Sequence, residues 1–254
     1  GRPRRPGAAL TPGPASLAGD HGVILGLAID HRDSFDAVLR ERGIDGRGPA
    51  GAQLQKSAVV GPLAPFATAV MLDHAYGARA IADGACGRAA LVMPLEQQGY
   101  MALGDERRAA LMAELTPGRA RDLGAAACKL LLPMRPDQPA FTDAQLAVAS
   151  TAVRASHAAG LPLVLEPLVY RRSDESEAVF RRRRTDLVVE ATAILAAVGG
   201  DLLKLPALAD GGDDRPPDAV AYRRMADASG ELPWALYGAG MPVDALVGHL
   251  AAAG

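Results

Sequence analysis

Lysine is nearly missing from this chain. Of its 27 basic residues 24 are arginine, and lysine occurs only as Lys56, Lys129 and Lys204. Cysteine is scarcer still: Cys86 and Cys128 lie far apart in sequence. That pattern favours free thiols in a reducing compartment, and two cysteines cannot make a zinc site by themselves. Long apolar runs are absent, none approaching the roughly 20 residues needed to span a bilayer. Residues 1–20 are rich in Pro, Gly and Arg but lack the apolar core and cleavage site of a secretory signal. They are expected to form a disordered lead before a single domain over 21–254, in the cytoplasm. Net charge is low as well, −2 over 254 residues, which leaves no electrostatic case for a nucleic acid or membrane-surface partner.

The lysine shortage gives each survivor weight. Arginine stays protonated at any working pH, whereas a buried amine can lose its proton and attack a carbonyl. A lysine retained in such a composition stands where a guanidinium cannot substitute, or it has survived by chance; position decides between these readings.

What is present is a succession of short apolar runs, each closed by polar or turn residues and followed by a stretch of helical spacing. Candidate strands cover 22–30, 67–73, 89–94, 126–132, 162–168, 201–205 and 232–237. Helical spacing covers 105–114, 143–159, 185–198 and 242–253, the last with Leu246, Val247 and Leu250 as its stripe. The segments 171–184 and 210–217 read as exposed loops. Strands alternating with helices predict βα units and a parallel sheet, and continuously apolar strands predict cover on both faces. Asp30-His31-Arg32 follows the first strand where a dinucleotide-binding fold would carry a glycine-rich turn. The expectation is therefore an α/β chain of TIM (β/α)8 type with the eighth strand missing: the sequence is a piece of a longer one, or the barrel is incomplete. An open edge between the first and seventh strands would admit a homodimer.

Barrel active sites lie at the C-terminal ends of the strands, so charged residues on these apolar runs are the ones to question. Asp30 ends strand one, Asp73 ends strand two and Glu96 follows strand three; Lys129, Glu166 and Lys204 lie in strands four, five and six. An unpaired charge at any of these places would cost several kcal/mol. Alternation puts Leu202 and Lys204 on one face, as it does Ala127 and Lys129, and Val164 and Glu166. If those faces point inward, Glu166 stands between two lysines. That grouping suits imine chemistry, in which one amine must be neutral to attack a ketone and a carboxyl group must shuttle protons. It equally suits a structural Lys–Glu–Lys network. Asp30 could bind a substrate hydroxyl, position Lys204, or cap a helix starting near Ser34. His31 reads as a general acid or a polar loop residue, and His249 and His157 as surface or helix positions. Gly238-Ala239-Gly240 offers backbone amides to a phosphate or forms a plain turn. No His, Asp and Glu spacing is convincing for a metal, so no metal is expected.

Taken in order, the segments Ala28-Ile29-Asp30-His31-Arg32-Asp33-Ser34, Met71-Leu72-Asp73-His74-Ala75-Tyr76-Gly77, Leu95-Glu96-Gln97-Gln98-Gly99-Tyr100, Cys128-Lys129-Leu130-Leu131-Leu132, Leu165-Glu166-Pro167-Leu168-Val169-Tyr170, Asp201-Leu202-Leu203-Lys204 and Pro233-Trp234-Ala235-Leu236-Tyr237-Gly238-Ala239-Gly240 resemble the tagatose-1,6-bisphosphate aldolase family, which includes sulfofructose-phosphate aldolases. The resemblance implies a TIM barrel and cofactor-free retro-aldol cleavage of a sugar phosphate to dihydroxyacetone phosphate and an aldehyde. By position, Lys204 matches the Schiff-base lysine, Glu166 the proton-transfer carboxylate, and Asp30 and Lys129 polar residues that orient substrate and imine. Gly238, Ala239 and Gly240 match part of the phosphate-binding region, and His31 and Arg32 stand at the substrate entrance. The chain departs from the family at His31-Arg32-Asp33, where Gln-Arg-Gly is common, and at Tyr237, where a small hydroxyl residue is usual. It also lacks the Gly-Arg phosphate clamp of strand eight. Rival readings are a phosphate-binding barrel isomerase or epimerase and a non-catalytic, truncated relative.

Overall fold

The computed structural model describes residues 13–44, 48–208, 217–238 and 240–254. Seven strands form one sheet: β1 (Gly26–Ala28), β2 (Ala69–Met71), β3 (Ala90–Pro94), β4 (Ala127–Met134), β5 (Leu163–Val169), β6 (Leu202–Pro206) and β7 (Trp234–Tyr237). Every neighbouring pair is parallel and the spatial order is the chain order. Helices α1 (Asp33–Glu41), α2 (Gly48–Leu63), α3 (Ala78–Ala82), α4 (Pro117–Asp122), α5 (Pro139–Ala158), α6 (Glu177–Ala196), α7 (Ala219–Ser229) and α8 (Val243–Ala253) lie between or after them.

Two apolar layers follow from strand alternation. Val70, Leu91, Met93, Cys128, Leu130, Leu163, Leu165, Leu203 and Leu205 face outward and are buried under the helices. Ala69, Met71, Val92, Ala127, Val164 and Leu202 face inward as a second, smaller cluster. The sheet is curled, because residues of β1 and β7 line one cavity of about 110 Å³ together with Met71, Val92, Val164 and Lys204. Among the described residues β7 pairs only with β6 and β1 only with β2. The result is a TIM-like barrel whose eighth strand is missing from the described residues.

The strand expectations hold with ends shifted: β1 is trimmed from 22–30 to Gly26–Ala28, while β4 runs two residues further than expected, to Met134. Other expectations need correction. A disordered lead does not hold for residues 13–20: Pro14–Leu17 is a 3-10 helix, and Leu17 is buried in the inward cluster. The helix expected over 105–114 does not form. A 3-10 segment, Tyr100–Glu106, contains Gly104 at φ 60°, and the chain then runs extended, with Leu111 bridged antiparallel to Glu96. Ala109, Met112 and Leu115 are buried from this extended segment, so spacing compatible with a helix is used to lay a strap across the sheet end. The second half of the loop expected over 171–184 is helical, since Ser176 Oγ accepts from Val179 N and starts α6 at Glu177. The loop expected over 210–217 lies almost wholly outside the described residues. No helix among the described residues is long and apolar enough to cross a membrane.

Candidate active site

One layer above the inward apolar cluster the side chains turn polar. Val164 and Leu202 belong to the apolar layer, so alternation carries Glu166 and Lys204 into the same interior two residues further along. Ala127 and Lys129 are related in the same way on β4. Sequence alternation thus delivers two amines and a carboxylate to the C-terminal half of the curl.

Lys129 is the hub. Its Nζ donates to Asp30 Oδ2 at 3.0 Å and Glu96 Oε1 at 2.7 Å, and is 3.1 Å from Glu166 Oε2. Glu96 uses its other oxygen to accept from Leu131 N at 3.2 Å. Burial alone would depress the Lys129 amine, but the three surrounding carboxylates outweigh it and hold the pKa well above the usual lysine value. Lys129 is therefore a fixed cation. Burial likewise pushes the Asp30 carboxyl up, yet the charges of Lys129, Lys204 and His31 and the hydrogen bond from Lys129 hold it well below the usual carboxylate range.

Lys204 is held differently. Its Nζ is 3.0 Å from Glu166 Oε2 and makes no other ion pair among the described residues. The remaining neighbours are soft: Met71 Sδ at 3.7 Å and the Tyr237 ring, whose centroid is 4.9 Å away. Its side chain is 14% exposed against 3% for Lys129, so of the two amines Lys204 is the reachable one. It also borders the apolar cavity between β1 and β7. Burial raises the Tyr237 phenol well above its ordinary pKa, so the hydroxyl stays protonated beside the amine.

The expected residues divide into groups. Asp30, Lys129, Glu166 and Lys204 converge. His31 is exposed at the rim, beside the buried Asp30. Arg32 is turned inward: one terminal nitrogen donates to the Glu96 carbonyl at 2.7 Å, the other contacts Met112 Sδ at 2.9 Å, and the buried Nε has no partner among the described residues. The side chain ties the β1–α1 loop to the strap. Gly238 and Gly240 form a turn after β7, with Met241 N donating to the Gly238 carbonyl and Gly240 at φ 83°; Ala239 lies outside the described residues. Asp30 does not cap α1, whose cap position is Arg32. His157, half-buried on α5, pairs with Asp201 at 2.9 Å. His249 is not a surface residue: it is buried, and its Nδ1 meets the Tyr222 hydroxyl at 2.7 Å, because α8 packs against α7.

Two further groups belong to this end of the barrel. Glu96 was legible as a charge after β3, although its partner was not. Lys56 on α2 is fully buried and donates to Asp73 Oδ2 and to the His31 carbonyl; its only signal in the sequence is the rarity of lysine.

Comparison with known proteins extends the picture. Tagatose 1,6-diphosphate aldolase of Listeria monocytogenes serovar 1/2a is 31% identical over 156 residues, which is 61% of this chain and 45% of the relative. Tagatose 1,6-diphosphate aldolase 2 of Streptococcus mutans serotype c is 28% identical over 198 residues, 75% of this chain and 59% of the relative. The chain thus spans about half the length of these curated relatives. Among solved structures, an archaeal fructose-1,6-bisphosphate aldolase with its catalytic lysine bound to the carbinolamine intermediate superposes with a TM-score of 0.55 at 17% identity, covering 88% of this chain and 77% of that one. A fructose-bisphosphate aldolase from Slackia heliotrinireducens gives 0.63 at 15% identity, covering 90% and 70%. At these identities the structures speak for the fold alone. The sequence model of the DeoC/LacD family aldolases matches residues 15–242, nearly the whole described chain, and the protein belongs to that family.

Proposed function

We propose that this protein is a class I aldolase that forms a Schiff base at Lys204 and cleaves a ketose phosphate, tagatose 1,6-bisphosphate or a related or sulfonated sugar phosphate, to dihydroxyacetone phosphate and an aldehyde. The observation that carries the reading is the sharing of Glu166 Oε2 between a locked cation and a reachable amine, 3.1 Å from Lys129 and 3.0 Å from Lys204.

The chemistry follows from that asymmetry. The chemistry needs a neutral amine at Lys204 and a proton carrier beside it, and Glu166 Oε2 lies within reach of both Lys204 and Lys129. Lys204 passes a proton to Glu166, its neutral amine attacks the ketone carbon, and one proton moves from that nitrogen to the carbonyl oxygen to give a carbinolamine. Glu166, within hydrogen-bond reach, donates a proton to that hydroxyl, water leaves, and a protonated imine remains. The imine then accepts the electron pair of the C3–C4 bond as a carboxylate removes the proton of the C4 hydroxyl. The aldehyde departs and an enamine is left. Reprotonation at C3 and addition of water to the imine release dihydroxyacetone phosphate and restore the lysine. Asp30 and Lys129, fixed to each other at 3.0 Å, orient the substrate hydroxyls and the imine. His31 at the rim, the Arg32 segment and the Gly238–Gly240 turn border the phosphate-bearing parts of the substrate.

The reading is tested by replacing Lys204. Both Lys204→Ala and Lys204→Arg are expected to abolish cleavage of tagatose 1,6-bisphosphate while leaving the circular-dichroism spectrum intact. Cleavage surviving in either folded variant would sink the imine assignment. A phosphate-binding isomerase or a non-catalytic relative is favoured by no specific contact in the site.

A further inference from the structure

A fully buried ammonium outside the Lys129 and Lys204 group calls for explanation. Lys56 lies in the middle of α2, a helix on the outside of the barrel, yet none of its side chain is exposed. Its partner Asp73, at the end of β2, is equally buried. A buried ion pair contributes little to stability that apolar side chains of similar volume could not match. Its position is therefore informative, and the further bonds show what it holds.

Lys56 Nζ bonds Asp73 Oδ2 and donates at 2.6 Å to the carbonyl of His31. The rings of Phe35 and Tyr76 stand 5.3 and 5.6 Å from the ammonium, a favourable setting for a cation. Asp73 is itself fixed, since its Oδ1 accepts from the backbone amides of Ala75 and Tyr76 at 3.0 and 2.6 Å. Gly77 permits that tight turn, because a Cβ there would lie 2.4 Å from the Asp73 carbonyl oxygen. The circuit then closes on the helix that carries Lys56. The Tyr76 hydroxyl donates to Asp36 Oδ2 at 2.7 Å, and Asp36 Oδ1 accepts from Gly48 N, the first residue of α2, at 3.1 Å. Every link is specified except one: the His31 carbonyl belongs to the β1–α1 loop, and the residue before it is Asp30, whose carboxylate reaches Lys129.

We propose that Lys56 is a positioning residue for the reaction: by holding the His31 carbonyl from α2 it sets the β1–α1 loop, and so fixes where the Asp30 carboxylate and the His31 side chain meet the substrate. The inference rests on the imine reading of Lys204. An arginine could not fill the role, because its planar fork cannot replace a compact ammonium enclosed between Asp73, a carbonyl and two rings. This accounts for a lysine at position 56 in a chain where 24 of 27 basic residues are arginine.

Dihydroxyacetone phosphate in deuterium oxide tests this without the full substrate. Borohydride trapping counts imine on Lys204, and solvent exchange of hydrogen at the carbon beside the carbonyl reports proton transfer by the carboxylates. In Lys56→Met the adduct yield is expected to stay within about twofold while exchange per adduct falls about tenfold or more, since misplacing a reacting group by about 1 Å is that costly. The double variant Lys56→Met/Asp73→Asn removes both charges of the pair and gives the same readout if the single variant does not fold. Exchange per adduct unchanged in either folded variant, with both signals scaling only with the folded fraction, overturns the proposal. Failure of both variants to fold makes Lys56 structural and overturns it too. No adduct in the unsubstituted protein removes the imine reading, and this inference with it, and that result is distinct from the others.

Discussion

Glu166 and Lys204 meet across neighbouring strands through a single atom, Oε2, at 3.0 Å from Nζ, and the same atom faces Lys129 at 3.1 Å. The carboxylate thus sits where a proton can pass to or from the Lys204 nitrogen without either side chain moving. Glu166→Gln keeps the shape and removes the proton carrier. Turnover is expected to fall by about 10²- to 10⁴-fold, the usual worth of a positioned acid–base group. Steady-state kinetics check this, with adduct formation on Lys204 slowed but not abolished; an unimpaired rate would assign proton transfer elsewhere.

Lys129 is expected to govern stability as well as chemistry. Removing it in Lys129→Met leaves Asp30, Glu96 and Glu166 buried together without their shared cation. The expected loss is about 3–5 kcal/mol, as for other broken buried pairs. Urea unfolding at neutral pH measures it, and the deficit should shrink as the pH falls and the carboxylates take up protons. A variant as stable as the parent would mean that water solvates this cluster.

Asp30 predicts the acid limb of stability. Its folded-state pKa lies below the unfolded value of about 3.9. Both states are ionised above that value, so the stabilisation is complete there. It is lost as the pH falls below about 4, where only the unfolded chain takes up the proton. Asp30→Asn should flatten the decline of unfolding free energy with falling pH by up to about 1.4 kcal/mol per pH unit, one proton's worth. An unchanged slope would show that Asp30 is not held in its charged form by Lys129.

The parts of this fold that depend on local pattern were legible before the structure. Apolar runs placed the seven strands, and two-residue alternation placed Lys129, Glu166 and Lys204 on inward faces, which is where they lie. What the pattern could not give were partners set by packing between distant segments. Glu96 and Asp73 stood out as charges at strand ends, but Glu96 finds Lys129 only because the loop after β3 turns back over β4. Lys56 lies on a helix with no strong apolar stripe, and its burial follows from how α2 sits against the β1–α1 loop. The 105–114 segment misled because apolar residues three apart fit a helix as readily as an extended strap pinned by Gly104 and the Glu96–Leu111 bridge. His249 read as a surface or helix position; it is on helix α8, but nothing local shows that it is buried against Tyr222 of another helix.

The account stands or falls on one nitrogen. Incubation with dihydroxyacetone phosphate and sodium borohydride, followed by proteolysis and mass spectrometry, reads it directly. The account predicts a reduced adduct on the peptide carrying Lys204 and none on those carrying Lys129 or Lys56, because Lys129 is a cation held by three carboxylates and Lys56 is enclosed. An adduct on Lys129, or none at all in a protein shown to be folded, would contradict it.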